Sequence, residues 1–197
     1  MKRICIFGSS SPKEGSELFE RARELGKELA KRNIEIANGG YGGTMKGAAM
    51  GAHEQSENEN PSIEGVTVPS LFETIRKSTD NSFLTKRTES KDIFERFRFL
   101  TDPQLFDAFI IFEGNIGSLN ELILVWTQFF LLFKFHLKKP KLCLVFRFWE
   151  NIINFLKENV SIDDFYVDEN DNKIPLFTYV DSVDDVTKIL DELIKNN

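Results

Sequence analysis

Glu113-Gly114-Asn115-Ile116-Gly117-Ser118-Leu119-Asn120-Glu121 combines residue types that could do chemistry at a spacing that would bring them together. It follows the apolar run Ala108 to Phe112, which reads as a buried strand, and it opens a long apolar-periodic segment that reads as a helix. A glycine-containing turn between a strand and a helix leaves backbone N–H groups pointing outward at the positive end of the helix dipole, where an anion can sit. Glu121 falls just inside that helix, and an acidic residue there often does no more than complement the dipole. Two further clusters carry it past that plain reading. Gly39-Gly40-Tyr41-Gly42-Gly43-Thr44-Met45-Lys46-Gly47 follows the short apolar run Ile34 to Ala37, and Gly8-Ser9-Ser10-Ser11 follows the strand-like Arg3 to Phe7. Each cluster alone is ordinary turn chemistry. Three of them, each after a strand and before a helix, fit the carboxyl edge of a parallel sheet, where open α/β sheets bind nucleotides and phosphorylated sugars.

The elements that must position these turns alternate along the chain. Strands are expected at Arg3–Phe7, Ile34–Ala37, Ile63–Val68, Asp107–Phe112 and Lys141–Phe146, with a short sixth at Leu176–Val180. Helices are expected at Glu17–Arg32, Thr44–Gln55, Ser90–Leu100, Ser118–Leu137, Trp149–Asn159 and from Ser182 through Ile194. In the first helix Leu18, Ala22, Leu25 and Leu29 recur at helical period, with Ser16 as N-cap. The second is rich in glycine and alanine, so its backbone can approach the sheet closely. Ser182 with Asp185 resembles a capping box for the last helix. Residues 56–62 read as a loop, residues 70–89 as an excursion over the carboxyl edge that could serve as a lid, and residues 161–173 as a mobile acidic loop. The expected fold is α/β, a Rossmann-like doubly wound parallel sheet of five to six strands, in a single domain spanning residues 1–197. The segment from Leu119 to Leu137 is apolar on nearly every side, with Trp126, Phe129, Phe130, Phe133 and Phe135, so a homodimer that covers part of it is expected.

Bulk properties narrow the function further. The chain has 197 residues, a net charge of −6 and 19 phenylalanines. With a pI near 5.1 it carries no electrostatic footprint for nucleic acid or an anionic membrane, and neither is expected as a partner. The apolar stretch Leu122 to Phe133 is too short to span a bilayer. The chain starts directly with a strand, so no leader segment is expected. Cys5 and Cys143 lie in apolar strand-like runs and read as core residues of a reducing compartment, which makes the cytoplasm the expected location. His53 and His136 are isolated, so no metal is expected, and no cofactor is called for. The first turn lacks G-x-G-x-x-G, which places a dinucleotide-dependent dehydrogenase last among the readings.

Taken together, the motifs resemble the LONELY GUY type family, long labelled "possible lysine decarboxylase". Glu113 to Glu121 is similar to its hallmark PGGxGTxxE in length, spacing and final Glu, and Gly39 to Met45 is similar to its upstream GGxxGxM. Ile6-Phe7-Gly8-Ser9-Ser10 looks like its first strand and turn. The likeness covers the chain to about residue 160. It departs from the pattern at Glu113 for proline, Asn115 for the second glycine and Ser118 for threonine, and Asn120 stands where many members carry another Glu. Asn tolerates the left-handed backbone better than most residues. An added carboxylate at Glu113 must point away from an anion or be paired. No lysine stands in a setting suited to pyridoxal phosphate, so decarboxylation has no chemical support.

The resemblance implies a Rossmann-like fold and hydrolysis of the N-glycosidic bond of a nucleoside 5′-monophosphate to free base and ribose 5-phosphate. It implies Glu121 as the catalytic carboxylate and an arginine on the helix before the motif strand. The family's usual spacing back from Asp107 selects Arg98. Helical periodicity selects Arg96, which has Ile93 and Leu100 on its apolar flanks where Arg98 has Glu95 and Asp102, and we favour Arg96. Gly39, Gly40, Gly42, Gly43, Thr44, Asn115, Gly117 and Ser118 are the expected phosphate-binding residues, with Gly8, Ser9 and Ser10 toward ribose or base. The alternative is a non-catalytic sensor or carrier of a nucleotide or other phosphorylated ligand on the same fold, favoured by the changes at Glu113 and Asn115.

Overall fold

The computed structural model describes residues 2–55, 61–70, 81–134, 141–160, 162–168 and 170–195. The strands are β1 (Arg3–Phe7), β2 (Glu35–Asn38), β3 (Ile63–Thr67), β4 (Lys86–Glu89), β5 (Ala108–Ile111), β6 (Leu142–Phe146), β7 (Phe165–Val167), β8 (Lys173–Pro175) and β9 (Thr178–Val180). The helices are α1 (Glu17–Lys31), α2 (Thr44–Gln55), α3 (Ile93–Leu100), α4 (Ile116–Lys134), α5 (Glu150–Val160) and α6 (Val183–Lys195).

Seven strands form one parallel sheet in the order β4-β3-β2-β1-β5-β6-β9. The order reverses between β1 and β5, so the turns that follow these neighbours leave the sheet edge in opposite directions and open a crevice between them. Side-chain alternation along β1 sorts the two faces. Ile4 and Ile6 point into a core shared with Ala22, Leu25 and Leu29 of α1, Ala48, Ala49 and Ala52 of α2, and Val186 and Leu190 of α6. Cys5 and Phe7 point into the opposite core, built from Leu100 of α3, Leu122, Val125, Trp126 and Phe129 of α4, and Ile153 of α5. Near-continuous apolar strands such as Phe-Ile-Ile in β5 are what a sheet covered on both faces requires. The small-residue face of α2 lies directly on α1.

Several expectations are met locally and others are corrected. Asp185 N–H donates to Ser182 Oγ (3.2 Å) and Ser182 N–H to Asp185 Oδ2 (3.0 Å), a reciprocal cap on α6. Ser16 stands at the N-cap of α1, but its hydroxyl donates to the Lys13 carbonyl and caps no helical N–H. The sheet has seven strands because Lys-Arg-Thr-Glu, inside the expected excursion 70–89, pairs with β3 as an edge strand. The expected loop 161–173 holds β7, which pairs with β8 in an antiparallel hairpin. The lid expected around residues 71–80, most of the loop at 56–62, and Phe135 to Leu137 lie outside the described residues.

The long helix α4 starts at Ile116, ahead of the expected Ser118. Part of its apolar circumference is covered within the chain. Trp126 Nε1–H donates to the Asp163 carbonyl (2.8 Å), and the indole meets the Phe177 ring edge-on.

Candidate functional site

Backbone hydrogen bonds lock the three glycine-bearing turns to one another. Ser9 N–H donates to the Glu113 carbonyl (3.2 Å), joining the turns after β1 and β5 across the switch point. Thr44 N–H donates to the Ser9 carbonyl (2.9 Å), joining the turn after β1 to the start of α2. Gly43 has φ of +62°, and a Cβ there would collide with the Ser9 carbonyl and the Ser10 backbone. Both the left-handed backbone and the close approach demand glycine. Thr44 packs its side chain against Gly8 and is fully buried, with its Oγ1 lacking a hydrogen-bond partner among the described residues. Asn38 Oδ1 accepts from Gly40 N–H (2.8 Å), and its amide donates to the Met45 carbonyl (3.3 Å), fixing the glycine turn to the end of β2.

At the start of α4, Asn115 Oδ1 accepts from Gly117 N–H (3.2 Å) while the Asn115 carbonyl accepts from Leu119 N–H (2.9 Å). The asparagine therefore caps the helix at the place where the family pattern has a glycine. Ser118 is buried just behind it.

Glu121 lies a turn deeper and is buried opposite Arg96 of α3. Arg96 Nη1 stands 3.5 Å from Glu121 Oε1, and the two side chains are only 7% and 8% exposed. Arg96 is held from three sides. Its Nε donates to the Val66 carbonyl at the end of β3 (2.9 Å), its Cζ stands 5.5 Å from the centre of the Tyr41 ring, and its Nη2 occupies the space a Cβ on Gly39 would need. Tyr41 is fixed in turn, its hydroxyl accepting from Val68 N–H (3.1 Å). Burial pushes the Glu121 carboxyl up from its ordinary 4.5 to about 7, against the downward pull of Arg96. Arg98 is exposed on the far side of α3.

The structure thus brings together Gly8, Ser9, Gly39, Gly40, Gly43, Thr44, Ser118, Arg96 and Glu121, with Ser10 and Gly42 flanking the junction of the first two turns. Arg98 is left out of the group. Arg21 of α1, outside every motif, ion-pairs with Glu113, its Nη1 2.7 Å from Oε1. Arg21 carried no signal of its own. The clue lay in Glu113, an acid in an anion-binding turn that calls for a nearby cation. Val66 could not be found from sequence, because it takes part through its backbone carbonyl.

Comparison with known proteins agrees with the motifs. The family described as "possible lysine decarboxylase" matches residues 45–190, and the family described as SLOG cluster4 matches residues 1–67. A probable cytokinin riboside 5′-monophosphate phosphoribohydrolase of Oryza sativa subsp. japonica is 28% identical over 162 residues, covering 81% of this chain and 60% of that protein. A cytokinin riboside 5′-monophosphate phosphoribohydrolase of Arabidopsis thaliana is 30% identical over 163 residues, covering 81% of this chain and 70% of its own length. Among solved structures, the molybdenum cofactor binding protein of Rippkaea orientalis superposes with a TM-score of 0.67 at 14% identity, covering 98% of this chain and 97% of that one, a likeness of fold. The chain belongs to the "possible lysine decarboxylase" family, the LONELY GUY type.

Proposed function

We propose that this member of the family hydrolyses the N-glycosidic bond of a nucleoside 5′-monophosphate. The buried Arg96–Glu121 pair beside the interlocked turns of Ser9, Gly43 and Gly117 carries the reading. In the reaction the bond from ribose C1′ to the base nitrogen breaks, a water oxygen bonds to C1′, and the water's protons end on the base and the new hydroxyl. Positive charge builds on the sugar as the base leaves, and a carboxylate fixed in a water-poor site stabilises it more than solvent would. Glu121 supplies that carboxylate and can hold a ribose hydroxyl, while Arg96 binds phosphate or the departing base. The backbone N–H groups of the glycine turns and the hydroxyls of Thr44 and Ser118 hold the 5′-phosphate. The unpartnered Thr44 Oγ1 supports a polar ligand there, since buried hydroxyls are seldom left unbonded. The activities named for the plant relatives support this substrate class. Two buried free cysteines suit a reducing, cytoplasmic setting.

A second reading, a binder without turnover, draws on one observation. Asn115 Oδ1 already occupies the Gly117 N–H that the family's glycine would leave open to phosphate.

One experiment separates the two. Purified protein is incubated with AMP, GMP, CMP and UMP, and free base is followed by chromatography. Turnover is expected with at least one, falling by about a hundredfold or more for Glu121→Ala. Arg96→Ala should lose far more turnover than Arg98→Ala. Binding of a monophosphate with no base released would overturn the hydrolase reading and leave the binder.

A further inference from the structure

Glu113 belongs to a turn that the proposed function requires to accept a phosphate, and its position is fixed by its surroundings. Its own carbonyl takes the Ser9 N–H. Its side chain is 23% exposed, and its Oε2 is buried with no hydrogen-bond partner among the described residues. A carboxylate so placed repels an incoming dianion over several ångströms, and partial burial limits how far water screens it.

Arg21 answers this charge from another element. Its Nη1 stands 2.7 Å from Glu113 Oε1, and its guanidinium lies 4.7 Å from the centre of the Phe146 ring and 6.0 Å from that of Phe112. Phe112 and Phe146 are stacked on each other, centroids 4.3 Å apart, and both are buried. The aromatic pair is therefore a fixed platform, and a guanidinium over such a platform is held more firmly than one in solvent. The cation is built in from α1, the acid from the turn after β5, and the platform from the residue that follows β5 and the last residue of β6.

We propose that Arg21 is a specificity-determining residue whose charge cancels that of Glu113 and so makes this turn competent for a phosphorylated ligand. The proposal rests on the anion-binding reading of the site but does not require turnover. It differs from a structural ion pair in one measurable way, the sign of the response. Losing either partner of a structural bridge weakens the fold, and with it binding, in the same direction. A charge-cancelling role gives opposite signs, because Arg21→Gln leaves an acid beside the phosphate and Glu113→Gln leaves a cation.

The test is the affinity of the full chain for AMP and for inorganic phosphate, by calorimetry at low and at moderate salt, for wild type, Arg21→Gln, Glu113→Gln and the double variant. Arg21→Gln is expected to weaken binding roughly three- to tenfold, and Glu113→Gln to tighten it by up to about the same factor. The double variant should return to near wild type, and the spread between the variants should shrink as salt rises. Thermal melts of all four check that each is folded. If the two single variants weaken binding alike while wild type binds, the inference is overturned and the reading of the site stands. If no variant, wild type included, binds AMP or inorganic phosphate, both fall together.

Discussion

The protonation of Glu121 sets the conditions under which the proposed chemistry can run. Burial lifts its carboxyl to about 7, and Arg96 at 3.5 Å opposes the lift. Stabilising a positive sugar needs the carboxylate, whose fraction grows as pH rises through that value. Turnover of a monophosphate is thus expected to climb about tenfold per pH unit below about pH 7 and to level off about one unit above it. The stability consequence has the opposite sign. A carboxyl raised above its unfolded value of 4.5 favours the folded state most when protonated, below about pH 4.5, and that contribution is lost as pH rises through about 7. Glu121→Gln should therefore flatten the pH dependence of the melting temperature in that window while abolishing turnover. A rate that is flat between about pH 5 and about pH 9 would show that Glu121 does not titrate in the working site. The motif pointed to Glu121 and the resemblance to an arginine on this helix, while periodicity alone chose between the two candidates: Ile93 and Leu100 flank Arg96 at helical spacing, and the structure buries Arg96 and exposes Arg98.

At the scale of elements, α3 is the short helix on which the arrangement of the pair depends. It spans only Ile93–Leu100, and its start is fixed by Asp92, whose carboxylate accepts from Phe94 N–H and Glu95 N–H at 2.8 Å each. Asp92→Ala should cost about 1 kcal/mol of stability in a denaturant titration. Because Arg96 lies one turn inside that cap, the same change should weaken nucleotide binding measurably. Ser182→Ala, which uncaps the remote α6, should cost similar stability and leave binding untouched. Equal binding by both variants would show that α3 is held by its packing alone. Elements with an apolar signature were legible in the sequence, among them β1, β5, β6 and α1. The edge strand β4 was not, because Lys-Arg-Thr-Glu has no inward apolar face and is defined by backbone pairing with β3. The β7–β8 hairpin escaped notice for a different reason: Phe-Tyr-Val and Lys-Ile-Pro are only three residues each, too short for a period to show, and a polar connection joins them.

The whole molecule is lopsided in a way that bears on assembly. Among the described residues, the α1, α2 and α6 layer leaves Ile194 as its exposed large apolar side chain, at 40%. The opposite layer leaves Phe94 at 75% and Ile116 at 78%, together with Leu131, Phe155 and Val160. No helix among the described residues is long and apolar enough to cross a membrane, so lipid around a spanning helix does not account for this face. Phe94 and Ile116 sit at the first turns of α3 and α4, helices joined by Arg96 to Glu121 near the carboxyl edge and by the Gln128 amide to the Thr101 carbonyl (2.9 Å) further down. Apolar side chains gathered on one layer and left in water favour association, and a second copy presenting the same face would bury them with two-fold symmetry. The β7–β8 hairpin side already covers Trp126, so the dimer needs to cover only the α3 side and the exposed Leu131 edge of α4. A homodimer is therefore expected by light scattering at micromolar concentration. Phe94→Glu combined with Leu131→Glu should shift it to monomer with little change in melting temperature, since neither side chain is buried in the single chain. A wild-type monomer under those conditions would refute this assembly. Dissociation of the double variant with full loss of turnover, while Glu121 and Arg96 stay intact, would further mean that the carboxyl-edge crevice is completed by the second subunit.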